Sequence, residues 1–588
     1  MAAASLALIL LFLRIITSSS ATSDHRYNAG DPVPLYAYKI GPFHNPVETY
    51  RYFDLAFCSS EAAIEEKETL GQVLDGGRIV VAPHKIEFLV DLESGKACKK
   101  RLKREDVAKF RDAVQRDYYF QMFLDGLPIW GFLGRFEHES YIDTVPSKRK
   151  YFLFKRLDFV IFYNGDHVIE CNIYTKSDAL VDITEDREME VEFQYSVKWK
   201  ETNISFEKRL EKYSVYHSAY GMKIQLFSTM TSCVLVLLLT GLLATVLVRV
   251  VKNDLAKYAS HEDLIPDQEE TGWKNIHGDV FRYPKNKSLL AASLGSGTRL
   301  VFVFTSMLVI GLLGVFPPYN QGSFLTSIIV IYALSSVLAG YTSTSFYCQL
   351  EGTNWVKNLI MTEFLFSGPL FVMFCFLNTV ASIYNANAAM SFGTILVLLI
   401  WILLGSSLLV LGGIAAKNRK IEFEAPCQTT KCPREIPPLR WYQGSIPKMA
   451  IAGILPFSTI YVQLYYILSS VWGLKHYTMY GILLIVFIIL LIVTAFVTVA
   501  LTYFQLASED YQWWWSSLFY GGSTGIIMYG YCGYFYYART AMNGFMQTSF
   551  FLGYMACICY GIFLMLGTVG FRASLLFVRQ IYGTIKCE

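Results

Sequence analysis

From residue 226 to residue 571 the apolar positions gather into nine long blocks: 226–248, 300–316, 324–346, 359–383, 391–416, 449–472, 480–506, 515–537 and 545–571. A helix of roughly 20 apolar residues crosses the hydrocarbon core of a bilayer, so each block predicts a membrane span. Before residue 226 the pattern changes. Alternating or β-rich runs at 151–163, 167–175 and 189–199 predict strands, and 105–116 predicts a helix with acidic residues in its first turn. The expected fold class is a polytopic α-helical membrane protein with nine transmembrane helices, preceded by a mainly β lumenal domain. No block carries an ionisable side chain near its middle. Intramembrane charges usually mark ion or proton pathways, so this pattern argues against an ion-coupled carrier.

The amino terminus adds a short apolar core, Leu6 to Leu13, followed by the small residues Ser19-Ser20-Ala21. Residues 1–21 therefore read as a cleaved signal peptide, although Arg14 interrupts the core and no Lys or Arg precedes it. An uncleaved anchor is the alternative, and the core is too short to span. The expected division is a lumenal domain over 22–225, a first span over 226–250 and a cytosolic loop over 251–298. Spans two to five follow over 299–416, a second cytosolic loop over 417–448, spans six to nine over 449–571 and a cytosolic tail over 572–588.

Charge placement orients this plan. The loop after span one holds Lys252, Lys257, Lys274, Arg282, Lys285 and Lys287, and the loop after span five is also basic, with Lys417, Arg419, Lys431 and Arg434 among its residues. The short loops assigned to the lumen hold only Lys475 and Arg539. Positive residues collect on the cytosolic side, which places the amino-terminal domain in the lumen and the carboxyl terminus in the cytosol. Composition agrees: 53% of residues are hydrophobic, mean hydropathy is +0.35 and the net charge is only +3, without the basic stripe of a nucleic-acid binder.

Candidate chemistry is sparse. Glu363 lies inside a span but about one turn from its cytosolic end, where a carboxylate reaches water. Asn378, Gln463 and Gln505 read as hydrogen-bonding glue between helices, and Pro317, Pro369 and Pro456 as kinks or helix ends. Gly521 and Gly525 form a GxxxG spacing suited to close helix packing, and Trp513-Trp514-Trp515 reads as an aromatic belt at the membrane boundary. There is no GxSxG, HExxH or phosphate-binding loop, so an enzyme is not expected, although single acidic residues leave a carboxylate-pair hydrolase open. Cys427 and Cys432 lack the nearby His or second cysteine pair of a zinc site, so no metal and no cofactor are expected.

In the lumenal domain Asn203-Ile204-Ser205 is a glycosylation sequon, while Asn286-Lys287-Ser288 falls in the cytosol and stays bare. Cys58, Cys98 and Cys171 make an odd set for an oxidising compartment. The pairing expected is Cys58 with Cys98, because Cys171 sits within a strand pattern as an apolar filler; spacing alone leaves other pairings open.

These features together resemble one family, the nonaspanins or transmembrane nine superfamily of endomembrane proteins, in its plant branch. The resemblance covers essentially the whole mature chain. It rests on Tyr38-Lys39-Ile40-Gly41-Pro42-Phe43-His44-Asn45-Pro46, Glu48-Thr49-Tyr50, Leu127-Pro128-Ile129-Trp130-Gly131 and His277-Gly278-Asp279-Val280-Phe281-Arg282. The strongest block is Cys432-Pro433-Arg434-Glu435-Ile436-Pro437-Pro438, continuing through Leu455-Pro456-Phe457-Ser458. Tyr283 departs from it, standing where many relatives have proline.

The resemblance implies tail signals. Lys586-Cys587-Glu588 matches the family's Lys-x-Asp/Glu Golgi-retention signal, which binds the COPI coat. Phe577-Val578-Arg579-Gln580-Ile581-Tyr582 resembles the aromatic signal for export from the endoplasmic reticulum in COPII vesicles. It further implies a Golgi and endosome protein that sorts client membrane proteins through its membrane segments. A transporter or channel for a small uncharged solute is the alternative, and a lumenal ligand-binding module is disfavoured because one span would anchor it. An enclosed wet cavity lined by polar residues would favour transport, and lipid-accessible grooves lined by small residues would favour cargo binding.

Overall fold

The computed structural model describes residues 26–43, 50–58, 80–138, 149–175, 179–206, 209, 219–262, 272–313, 321–384, 392–419, 423, 425–438, 444–472, 480–539 and 545–583. The proposed signal peptide and the terminal Lys586-Cys587-Glu588 lie outside them.

The amino-terminal domain is built from β1 (Leu35–Pro42), β2 (Tyr50–Arg51), β3 (Val80–Val81), β4 (Leu92–Leu102), α1 (Arg104–Gln115), β5 (Tyr118–Leu124) and β6 (Leu127–Phe132). It continues with β7 (Gly134–His138), β8 (Arg149–Phe154), β9 (Arg156–Asn164), β10 (His167–Tyr174), β11 (Leu180–Asp182) and β12 (Met189–Glu201). One sheet has the order β2-β1-β5-β6 with β3 also on β1, a second runs β10-β9-β12-β4, and a third runs β11-β8-β7. Most neighbours are antiparallel, but β12 and β9 run parallel. Alternation sets the inner faces, as in β12, where Val191, Phe193, Tyr195, Val197 and Trp199 turn inward. In α1 the inward residues Val107, Phe110, Ala113 and Val114 recur at helical spacing. The expected strands and helix are therefore present.

The β5–β6 hairpin turns through Asp125 and Gly126, both in the left-handed region with φ of 49° and 75°. That is the two-residue turn that suits a twisted hairpin. Cys58 and Cys98 form the expected disulfide, with Cα atoms 5.8 Å apart, and Cys171 is buried within β10.

The helical part comprises α2 (Ala219–Glu262), α3 (Lys287–Leu312), α4 (Gln321–Leu334), α5 (Ser336–Gln349), α6 (Trp355–Ile383) and α7 (Phe392–Arg419). It ends with α8 (Ser445–Trp472), α9 (Tyr480–Ala507), α10 (Trp513–Arg539) and α11 (Phe545–Gly583). Among the described residues, seven helical spans are long and apolar enough to cross a membrane. The fifth and eighth predicted blocks are helices α7 and α10, and the third is split at Ser335 between α4 and α5. The architecture is the expected polytopic helical bundle behind a β-rich domain. Tyr50 of β2 packs against Leu377, Val380, Met546 and Phe550 at the ends of α6 and α11, joining the two parts.

Three expected boundaries move. The segment 287–298, read as loop, is the first half of α3, because its small residues Ala291, Ala292, Ser293, Gly295 and Ser296 let the helix bury itself among its neighbours. The segment 572–583, assigned to the cytosolic tail, continues α11 as helix, because Phe571, Ser574, Val578, Ile581 and Tyr582 recur on one inward face. The first loop also begins later, since α2 runs on to Glu262.

Candidate functional site

Starting α3 at Lys287 carries Arg299 into the bundle and overturns the expectation of charge-free spans. Its guanidinium donates from Nη1 to Glu363 Oε2 of α6 at 3.0 Å, from Nη2 to Ser336 Oγ at 2.7 Å and from Nε to the Tyr332 carbonyl at 3.1 Å. It also stacks 3.5 Å from the centroid of the Tyr332 ring. Glu363 is 4% exposed and Arg299 3%, so the carboxylate expected to reach water is enclosed and paired. The geometry explains the break at Ser335. The Tyr332 carbonyl is taken by Arg299 and by Ser335 Oγ, and side chains inserted into a helical ladder interrupt it.

A seam of neutral groups continues from the pair between α3, α5 and α6. Ser296 Oγ donates to the Thr362 carbonyl, Thr362 and Ser343 share a hydroxyl–hydroxyl bond of 2.7 Å, and Asn358 donates to Ser343 at 2.7 Å. Ser288 closes the row on Asn358. Such hydroxyls and amides act as glue in hydrocarbon, where an unmet polar group is costly. The same role holds for Gln463, whose amide donates to Thr229 of α2 at 2.6 Å, and for Gln505, which meets Asp510 and Tyr520.

At the opposite end from Tyr50, the loops fold into a core of their own. Trp513 is fully buried and donates from its indole to the Val280 carbonyl, while Trp514 stacks on it at 4.7 Å. The tryptophans are thus inward packing residues in place of the expected lipid-facing belt; only Trp515 is partly exposed, and it donates to the Lys285 carbonyl. Asp279 organises the surrounding loops: it accepts from Arg282, from Thr430 and from the backbone N–H of Arg434. Arg434 in turn bonds Asn275 and faces Glu509 at 3.8 Å. Two motif blocks far apart in sequence, 277–282 and 432–438, therefore meet on one carboxylate.

The segment Phe577–Tyr582 belongs to this core. Val578, Ile581 and Tyr582 are buried, Phe577 and Arg579 are half-buried, and Gln580 is exposed. The Tyr582 hydroxyl donates to the Trp273 carbonyl at 2.6 Å, its ring meets Trp273 and Phe281 edge-on, and Arg579 lies over Phe423 at 4.4 Å. The resemblance implied an export signal in the cytosolic tail. Here the residues form part of a helix packed against loops. The sequon residue Asn203 is exposed just beyond β12.

Glycines divide α10. Gly521, Gly522 and Gly525 abut α11, where an added side chain would collide with the backbone at Leu566, Phe563 and Cys559. Gly530 and Gly533 meet open space, and they share an outward stripe with Phe519, Ile526 and Tyr537. The first set confirms the close packing expected from the GxxxG spacing.

The profile described as Endomembrane protein 70 matches residues 49–545. The chain belongs to that family. It is similar to Transmembrane 9 superfamily member 4 of Arabidopsis thaliana, with 64% identity over 587 residues covering 99% of each chain. Transmembrane 9 superfamily member 1 of Bos taurus is 40% identical over 595 residues, covering 99% of this chain and 97% of its own. Putative phagocytic receptor 1b of Dictyostelium discoideum is 39% identical over 591 residues, covering 99% and 100%. Identity is highest among these for the plant relative, as the plant-branch resemblance implied. No solved structure matches the chain.

Proposed function

We propose that this endomembrane-family protein sorts other membrane proteins between the Golgi apparatus and endosomes. Its amino-terminal domain faces the lumen, its loops and tail face the cytosol, and no enzymatic step is involved. The outward glycine stripe of α10 carries the reading. Gly530 and Gly533 leave a shallow track on a surface that in a membrane faces other membrane segments, and small residues let helix backbones approach closely. The same helix uses the same device internally at Gly521, Gly522 and Gly525, so the contact chemistry is already at work within the fold. The name of the Dictyostelium relative, putative phagocytic receptor, fits a receptor-type role. Clients would dock on the bundle, and Lys586-Cys587-Glu588 would engage COPI. The 577–582 segment would engage COPII on leaving the loop core.

The test is a variant with Gly530→Leu and Gly533→Leu, which fills the track without touching the internal glycines. Client membrane proteins captured with the wild type should be lost and their surface level should fall, while folding and Golgi residence stay unchanged. Unchanged client capture sinks the reading. A second reading, transport of a small solute, draws on the Arg299–Glu363 pair, because ionisable groups inside a bundle often mark translocation paths. Solute flux in proteoliposomes that Glu363→Gln abolishes would favour it.

A further inference from the structure

Cations at the loop-side ends of the helices meet two fates. Some are occupied by acceptors: Arg282 by Asp279, Arg434 by Asn275 and Glu509, and Lys287 by the carbonyls of Leu350 and Glu351. Lys417 and Arg419, in the last turn of α7, rest instead on aromatic groups. The Lys417 ammonium lies 4.9 Å from the centroid of the Trp355 ring, and Arg419 Nη1 donates to the Tyr341 hydroxyl at 3.0 Å. Lys357, in the first turn of α6, is exposed. Among the described residues, no carboxylate pairs with any of these three cations.

Packing fixes where they stand. Gly412 of α7 lies against the Val337 carbonyl of α5 and Gly413 against Leu359 of α6, so α7 is wedged between its neighbours. One turn further along, Lys417 arrives level with Trp355. On the same helices, towards the middle of the bundle, Ile360, Phe364, Leu411 and Ile414 are exposed apolar side chains. The cations therefore cap apolar stripes, with Trp355 and Tyr341 at the level where aromatic rings favour the membrane–water boundary.

We propose that the basic rim formed by Lys417, Arg419 and Lys357 holds an anionic phospholipid headgroup in the leaflet on this side of the membrane. The acyl chains of that lipid would lie along the exposed residues of α6 and α7. Uncompensated positive charge beside lipid-facing hydrocarbon suits an amphiphile; a free anion would use the charge and leave the apolar stripe unused. Lys417 and Arg419, already held at Trp355 and the Tyr341 hydroxyl, lose little freedom on binding, and guanidinium and ammonium groups both take phosphate as a partner. This proposal stands apart from the sorting role and needs no client.

The test uses full-length protein in nanodiscs of phosphatidylcholine with phosphatidylserine as the anionic probe. The protein should retain phosphatidylserine in preference to phosphatidylcholine. Each of Lys417→Gln, Arg419→Gln and Lys357→Gln should weaken that preference by about fivefold, the effect of removing one interfacial charge. Unchanged melting of the variants in pure phosphatidylcholine would show that the fold survives. Should the triple variant fail to fold, a photoactivatable phosphatidylserine on the wild type decides the matter by crosslinking to peptides 355–364 and 411–419. Equal retention of the two lipids, an unchanged triple variant, or crosslinks confined to other helices would overturn the proposal. So would binding of soluble inositol hexakisphosphate at these cations with no preference for phosphatidylserine over phosphatidylcholine, which would assign them to free anions.

Discussion

Asp125 in the β domain and Glu363 in the helical bundle are both buried carboxylates held by one arginine, but their surroundings differ. Asp125 accepts from Arg209 at 2.8 Å and from the Tyr27 hydroxyl at 2.8 Å. Arg209 also donates to the Val168 carbonyl and lies over the Phe206 ring. The carboxylate sits on the β5–β6 turn and ties down both ends of the domain, the strand-free start near Tyr27 and the exit toward α2. Its effect on the Tyr27 phenol is secondary to burial, and both push that hydroxyl above its usual range. Glu363 joins helices that are already neighbours, and its arginine also satisfies a carbonyl freed at a helix break. One pair closes a fold in water; the other meets polar groups that hydrocarbon would leave unmet. The contrast lies in what happens when a partner is removed.

The largest effect is expected from Glu363→Ala. It strands the Arg299 charge among α3, α5 and α6, and breaking a buried pair by removing one partner costs about 3–5 kcal/mol. Replacing both partners, Arg299→Met with Glu363→Met, removes the charges together and should recover most of that loss. Thermal unfolding of the full-length protein in detergent reads both. A single variant as stable as the wild type would show that α4 and α5 hold their break without the pair.

The strands of the β domain were legible because alternation and turn residues are local signals. The same holds for α1, whose apolar residues keep helical spacing. Arg299 falls at the edge of the apolar block 300–316, and for a physical reason it gives no sign of lying mid-helix. The stretch 287–298 is rich in Ser, Gly and Ala and lacks a continuous apolar run, although small residues are what permits a helix to bury itself. Tyr582 shows the reverse case. Its neighbours keep an amphipathic period through 571–582, but the segment lies past the last apolar block, in the stretch assigned to the cytosolic tail. The meeting of Asp279 with Arg434 had no signal in spacing, since contacts across 155 residues depend on how the loops fold.

Asp125→Asn sharpens the comparison by keeping shape while removing charge. Arg209 would keep the Val168 carbonyl and the Phe206 ring, and Tyr27 is only partly buried, so water can replace part of what is lost. The expected loss is about 2–3 kcal/mol, smaller than for Glu363→Ala, because the Asn amide keeps an acceptor oxygen for Arg209 and only the charge is lost. Hydrogen exchange in the full-length protein should rise first at the β5–β6 hairpin and at the segment around residue 209. Protection unchanged at both places would mean that the two ends of the domain are held independently of Asp125.

The smallest effect is a pH dependence that only the β domain should show. His84 is buried edge-on to the Phe159 and Tyr195 rings, and Lys155 lines the same cleft. Burial pushes its protonation down to about 4 from the usual 6.5. A histidine depressed in this way binds its proton more readily in the unfolded chain, so the folded state is favoured fully above pH 6.5 and progressively less as pH falls toward 4. Between neutral pH and pH 5.5 the loss is only about 1 kcal/mol. His84→Leu should flatten that part of the profile while leaving the helical bundle unaffected. Exchange rates of β9 and β12 against pH, compared with those of α9 in the same protein, provide the measurement. A wild-type profile already flat across that range would show that the imidazole gains a partner when it charges.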